Sequence, residues 1–144
     1  MLLGRYRHTI DAKKRLFIPA KFREELGDRF VLARDVADNC LNAYPLAQWD
    51  AFVRRVNELP SVELRRMRQF IYSNACDAEV DAMGRVIISQ QLCEAMGFKK
   101  EVIITGMGDF AQIWDIDEWN KLNGTFGESG VMESMTQKLI ELGF

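Results

Sequence analysis

The stretch 10–27 reads IDAKKRLFIPAKFREELG, and 80–97 reads VDAMGRVIISQQLCEAMG; laid over one another at an offset of 70, they decide the fold. Asp11/Asp81, Ala12/Ala82, Arg15/Arg85, Ile18/Ile88, Glu24/Glu94 and Gly27/Gly97 are identical. Ile10/Val80, Leu16/Val86, Phe17/Ile87, Phe22/Leu92 and Leu26/Met96 keep their apolar character. The register persists to Tyr44/Trp114 and Trp49/Trp119. One duplication is not a solenoid, in which many repeats stack. A unit of about 45–50 residues buries too little surface to stand alone, so the two copies are expected to pack into one body.

Working outward, each copy follows one plan. An apolar run enters Asp-Ala-x-x-Arg, where the aspartate starts a turn and Gly84 supplies a positive φ at little steric cost. Lys14 stands at the glycine's place in the first copy, so that turn either takes another geometry or carries about 1 kcal/mol of strain. A second apolar run, LFIP or VIIS, leads to a short helix. Pro19 pre-sets the first helical residue of AKFREELG and Gly27 closes it, while Ser89 can cap the second helix through its hydroxyl. Phe22/Leu26 and Leu92/Met96 place one apolar stripe on each. RFVLAR, CLNAYP, EVIITG and AQIWD read as strands, and PLAQWDAFVRRVNEL and IDEWNKLN as helices, the latter with Asp115 and Glu118 at capping-box spacing.

Between the copies, SVELRRMRQFIYSNA reads as a linking helix with Leu64, Met67, Phe70 and Ile71 facing inward. GTFGESG (124–130) reads as a flexible joint. Val131, Met132, Met135, Leu139 and Leu142 then repeat at helical spacing, in a tail that either packs on its own domain or grips a neighbouring subunit. The chain divides into a first unit at 5–50, a linking segment at 51–75, a second unit at 76–120 and a helical tail at 121–144.

Composition narrows the class. The chain is 48% hydrophobic and 28% charged, ordinary for a globular protein. No stretch approaches the roughly 18 consecutive apolar residues of a membrane span, and the opening MLLGRYRHTIDAKKR turns polar too early for a secretory signal, so a cytoplasmic location is expected. Cys40, Cys76 and Cys93 are odd in number and lack CxxC spacing, which argues against a disulfide framework and for buried, inert thiols. With His8 as the one histidine, no metal site is expected. The net charge of -2 hides an asymmetry: residues 1–70 carry 14 Lys and Arg against 9 Asp and Glu, and residues 71–144 carry 5 against 12. The densest basic run is Arg5, Arg7, Lys13, Lys14, Arg15, Lys21 and Arg23, with Asp11 the single acid among residues 1–23. A surface that meets a polyanion has this footprint, and so does a solvated charged face.

Three readings of the paired Asp-x-x-x-Arg compete. The aspartate can cap its turn and pair with the arginine, an exposed pair contributing about 0–1 kcal/mol. Two related aspartates could share a proton, as in aspartic proteases, yet neither is followed by the Thr/Ser-Gly that buttresses such carboxylates, and an arginine four positions on would hold each ionised. No Gly-rich phosphate loop, Ser-His-Asp set or zinc motif stands elsewhere, so no enzyme and no cofactor are expected. The third reading is DNA contact. Arginine's planar fork suits guanine edges or phosphates, a two-stranded ribbon can enter the major groove, and Lys13, Lys14, Arg5 and Arg7 would add sequence-independent phosphate affinity.

At these residues the chain resembles a known family. LGRYRHTIDAKKRLFIPAKFREELGDRFVLAR, CLNAYPLAQW and DAMGRVIISQQL are together similar to MraZ proteins across roughly residues 1–122, and each half resembles the AbrB/SpoVT-type swapped-hairpin module. The resemblance implies a mainly β, α+β fold: two tandem swapped-hairpin units forming one pseudo-twofold β-barrel with peripheral helices. It implies a sequence-specific, nucleoid-associated transcriptional regulator that binds double-stranded DNA at short direct repeats. Those repeats lie in the promoter of the division and cell-wall gene cluster that includes its own gene. It also implies a ring-like homo-oligomer. The family's DNA-binding motif falls on Asp11 to Arg15 and Asp81 to Arg85, with Arg15 and Arg85 as the reading residues and Asp11, Asp81 and Gly84 as turn support. Lys14 replaces the usual Gly, Ser89 the usual Pro, and Cys93 stands where the family tends to carry Arg; copy one is therefore expected to dominate affinity. The rival class is an oligomeric, antitoxin-like binder of partner proteins through the tail.

Overall fold

In the computed structural model, which describes residues 1–124 and 130–144, β1 (Arg5–Thr9) and β2 (Arg15–Phe17) flank the first Asp-x-x-x-Arg turn. They are followed by α1 (Ala20–Leu26), β3 (Arg29–Arg34), β4 (Leu41–Pro45) and α2 (Leu46–Val56). After α3 (Ser61–Ser73) the plan repeats as β5 (Ala75–Glu79), β6 (Arg85–Ile87), α4 (Gln90–Met96), β7 (Glu101–Gly106), β8 (Ala111–Asp115) and α5 (Ile116–Gly124), and α6 (Val131–Glu141) closes the series. The fold is α+β, with antiparallel sheets and six helices among the described residues. All but the first and last residue of the GTFGESG joint lie outside the described residues.

The main sheet has six strands in the order β1-β7-β8-β4-β3-β5, and β2 pairs with β6 in a separate two-stranded sheet. Exchanging the copies (β1 for β5, β3 for β7, β4 for β8) leaves this order unchanged. The first strand of each copy is surrendered to the other: β1 pairs with β7 and β5 with β3. The offset of 70 holds for most elements, but Glu101 of β7 takes the role of Arg29 of β3; a longer connection into β7 is offset by a shorter one into β8. The barrel implied by the resemblance does not close. β1 and β5 are the sheet's two edges and do not pair with each other among the described residues. Each edge strand runs straight into an Asp-x-x-x-Arg turn, which carries the chain away into β2 or β6.

Both copies contribute to one core. Leu16, Ile18, Phe22, Leu26, Phe30, Leu32 and Leu41 interlock with Val86, Ile88, Leu92, Met96, Val102, Ile104 and Ile113, all buried. Each such side chain contributes about 1.5–3 kcal/mol by leaving water. Polar groups meet at the middle of the main sheet, where Asn42 of β4 lies opposite Gln112 of β8. Both are buried, and Gln112 Nε2 donates to Asn42 Oδ1 at 3.2 Å.

The short helices depart slightly from expectation. Pro19 is the N-cap of α1 rather than its first residue, because its ψ of 141° keeps it extended. Ser89 caps α4 as expected, its hydroxyl accepting from the Leu92 N–H at 3.2 Å. In α3, Ile71 is buried and Leu64 and Phe70 are half-buried, whereas Met67 is exposed: one buried residue near the C-terminal end, where the helix feeds into β5, anchors it. α6 is the counterpart of α3 at the same offset of 70, yet Met132, Met135, Leu139 and Ile140 are exposed, so the reading in which the tail packs on its own domain is not met. No described helix is long and apolar enough to cross a membrane.

Candidate nucleic-acid interface

The two Asp-x-x-x-Arg segments fold into the same turn. Asp11 Oδ1 accepts the backbone N–H groups of Lys13 and Arg15, both at 2.9 Å, and Oδ2 accepts Arg15 Nε at 2.6 Å. Asp81 Oδ1 accepts from Met83 and Arg85 N–H at 2.9 Å, and Oδ2 from Arg85 Nε at 3.0 Å. The backbone closes each turn from Lys14 N–H to Asp11 C=O and from Gly84 N–H to Asp81 C=O. These bonds favour the ionised carboxylate. The backbone N–H of Arg15 holds Asp11, and that of Arg85 holds Asp81, below the ordinary carboxylate range.

What the aspartates do is aim the arginines. Each guanidinium is held to its aspartate through Nε, and among the described residues its terminal amines make no side-chain hydrogen bond to that carboxylate. Arg15 and Arg85 then stand on one ribbon. The β2–β6 register sets Arg15 opposite Ile87, Leu16 opposite Val86 and Phe17 opposite Arg85. Two further bonds, Ile88 N–H to Lys14 C=O and Ile18 N–H to Gly84 C=O, both 2.9 Å, extend the ladder at either end. Leu16 and Val86 point into the core, so Arg15, Phe17, Arg85 and Ile87 share the outer face. A diagonal offset of two positions across neighbouring strands separates the two arginine Cα atoms by about 8 Å.

The remaining expected residues are placed unequally. Lys13 and Lys14 lie in the first turn, at the end of the ribbon. Arg5 and Arg7 lie on β1 of the main sheet, and the Arg7 guanidinium is ion-paired with Glu101. Gly84 has a φ of 80° and Lys14 a φ of 63°, so the two turns share one geometry and the lysine accepts the left-handed conformation.

Sequence reasoning missed Arg23 and Phe17. The Arg23 guanidinium lies over the Phe17 ring at 5.3 Å, and His8 of β1 approaches that ring at 5.3 Å as well. Arg23 also roofs the turn of the other copy: a Cβ on Gly84 would come within 2.6 Å of its Nη1. Its counterpart is Cys93, and across the ribbon the counterpart of Gly84 is Lys14. Burial pushes the Cys93 thiol up, and the Lys14 charge pulls it partly back. The signal was available, because Lys14 and Cys93, two departures from the repeat, are the counterparts of Gly84 and Arg23, which do approach each other. Burial also raises the Cys40 and Cys76 thiols, with Cys40 fully buried.

Comparison with known proteins bears on this arrangement. A family model described as MraZ protein, antitoxin-like, matches the chain twice, over residues 1–69 and 71–139. The second match reaches into α6, beyond the roughly 122 residues on which the sequence resemblance rests. Among curated relatives, the chain is 41% identical to the "Transcriptional regulator MraZ" of Caldicellulosiruptor bescii, over 99% of both chains. It is 38% identical to that of Acetivibrio thermocellus, again over 99% of both, and 36% identical to that of Leuconostoc citreum over 100% of both.

Proposed function

The chain belongs to the MraZ family of transcriptional regulators, and from that premise we propose that it binds double-stranded DNA through the β2–β6 ribbon, with the two turns at its ends. The observation that carries this reading is the outer face of the ribbon, which sets both Asp-anchored arginines, with their guanidinium ends, on one face and diagonal to each other. A two-stranded ribbon fits the major groove, and such ends suit guanine O6 and N7 or phosphate oxygens. Lys13 and Lys14 supply sequence-independent affinity beside Arg15, with Arg5 as a more distant contact along β1 and Arg7 shared with Glu101. In this reading residues 5–50 and 76–120 are swapped-hairpin units about a pseudo-twofold axis, 51–75 links them, and 121–144 is the tail.

The target is the set of short direct repeats in the promoter of the division and cell-wall gene cluster, its own gene included, and the protein works in the cytoplasm at the nucleoid. A ring-like homo-oligomer would engage successive repeats together, and linkage of this kind raises avidity by about 10²–10⁴ without new contacts. That accounts for DNA binding by a chain whose pI is 5.5. A second reading, partner binding through α6, draws on its exposed apolar stripe; deleting residues 130–144 separates the two, since DNA preference survives if the ribbon carries it.

The test is fluorescence anisotropy of the protein against its own promoter fragment and a scrambled control, over a range of salt. Arg15→Ala and Arg85→Ala should each weaken promoter binding without loss of assembly, by the roughly 1–3 kcal/mol of a bidentate contact. Arg15→Ala should cost more, since its copy also carries the lysines. Equal affinity for promoter and scrambled DNA at low salt would overturn the reading.

A further inference from the structure

The outer face of the ribbon is a two-by-two checkerboard in which each arginine stands directly opposite an apolar side chain, Arg15 opposite Ile87 and Arg85 opposite Phe17. The two apolar positions are equivalent in the repeat but not in their surroundings. Phe17 is 38% exposed, with Arg23 over its ring and His8 beside it. At the corresponding places the second copy has Ala78 and Cys93, both small, and Ile87 is 62% exposed. The turns differ in the same sense: Lys13 and Lys14 in the first copy correspond to Met83 and Gly84 in the second, and Met83 is 67% exposed. One copy has concentrated charge on this face, and the other has concentrated uncovered apolar surface.

An isoleucine held bare between two cations does not help a protein bind phosphate. In the major groove the apolar feature within reach of such a side chain is the 5-methyl group of thymine. We propose that Ile87 is a specificity-determining residue that reads thymine methyl groups in the major groove, next to the base or phosphate held by Arg15. The inference rests on the ribbon being the DNA-binding surface, and it divides the work: the first copy supplies most of the affinity, the second most of the discrimination. Met83, at the tip of the second turn, extends the apolar edge on that side.

The experiment uses the full chain and its own promoter fragment, in which every thymine of the repeats is replaced by deoxyuridine, so that the methyl groups alone are removed. Binding by wild type and Ile87→Ala is measured on both DNAs, with the scrambled control alongside. Loss of one buried methyl contact corresponds to about a fourfold loss in affinity. Wild type should lose about that much per contacted methyl on the deoxyuridine DNA. Ile87→Ala should lose a similar factor on ordinary DNA and little more on deoxyuridine DNA, while Ile87→Val should keep most of the wild-type ratio. The proposal is overturned if wild type binds both DNAs equally, or if Ile87→Ala shows the wild-type ratio between them. Either result with promoter preference intact sinks this inference alone; loss of preference over the scrambled control removes the ribbon reading with it.

Discussion

Lys14 occupies a conformation that costs an L side chain about 1–2 kcal/mol, and the turn around it leaves no alternative. Asp11 fixes the backbone N–H groups on both sides of the lysine, at Lys13 and Arg15, and its carbonyl takes Lys14's own. At the equivalent place the second copy keeps glycine, and the space a side chain would leave through is filled by Arg23. Bulk has been exchanged across the ribbon: Lys14 with Cys93 on one side, Gly84 with Arg23 on the other. If so, the cost of Gly84→Lys depends on Arg23. In the wild-type background it should reach about 2–3 kcal/mol, the left-handed conformation plus displacement of Arg23. With Arg23→Cys already present it should fall toward the conformational part alone. Urea denaturation of the four proteins of this cycle measures the coupling, and equal costs in both backgrounds would show that the two positions are independent.

At the scale of elements, the middle of the main sheet is held by a polar chain. Asn42 Nδ2 donates to Asp35 Oδ1 at 2.7 Å and to Tyr44 Oη at 2.9 Å, Gln112 donates to Asn42, and Trp114 Nε1 donates to Gln112 Oε1 at 3.1 Å. Asn42 and Gln112 are repeat equivalents lying opposite each other, so this chain stands where the two copies meet. Asn42→Ala would leave the buried Gln112 amide without its acceptor, and a destabilisation of about 1–3 kcal/mol is expected. Replacing both residues by leucine should cost less than the sum of the single changes, and denaturant midpoints decide it; strict additivity would mean that no coupled pair exists. None of this was legible from sequence, since nothing local says that residue 42 faces residue 112. What local chemistry controls was legible: the turns from Asp and Gly, the short helices from their stripes, and four strands from RFVLAR, CLNAYP, EVIITG and AQIWD. The strands that enter the turns, RYRHT and ACDAE, are not the apolar runs expected there and owe their place to pairing with the other copy. The ribbon escaped for the same reason as the amide pair, because Arg15 meets Ile87 only after the hairpins have been exchanged. The open sheet escaped with it, because continuity between β1 and β2 in sequence gives no hint that they belong to different sheets.

The exchange of first strands makes a claim about the whole molecule: neither half contains its own fold. Cut at the connection between α2 and α3, fragment 1–59 holds β1 without β7 and β2 without β6, while fragment 60–144 holds β5 without β3. Each fragment could pair with a second copy of itself through the same topology, so what must be explained is why the two halves would choose each other. The residues on the ribbon supply the reason. In a pair of first copies every Lys14 would stand where Gly84 now lies beneath Arg23, placing bulk and like charge in a space that has no room for a Cβ. Net charge acts in the same direction, because residues 1–59 carry 11 Lys and Arg against 8 Asp and Glu, and residues 60–144 carry 8 against 13. The mismatch thus disfavours the wrong pairing as well as favouring the right one. Mixed in equal amounts, the fragments should form a one-to-one complex that melts cooperatively. Fragment 1–59 alone should stay largely unfolded at the same concentration. Native mass spectrometry and circular dichroism read both properties, and a pair of first copies that forms as readily as the mixed pair would show that the ribbon contacts do not select the partner. Lys14→Gly together with Arg23→Cys in fragment 1–59 should then be the change that permits self-pairing, since it removes the collision while leaving the core untouched.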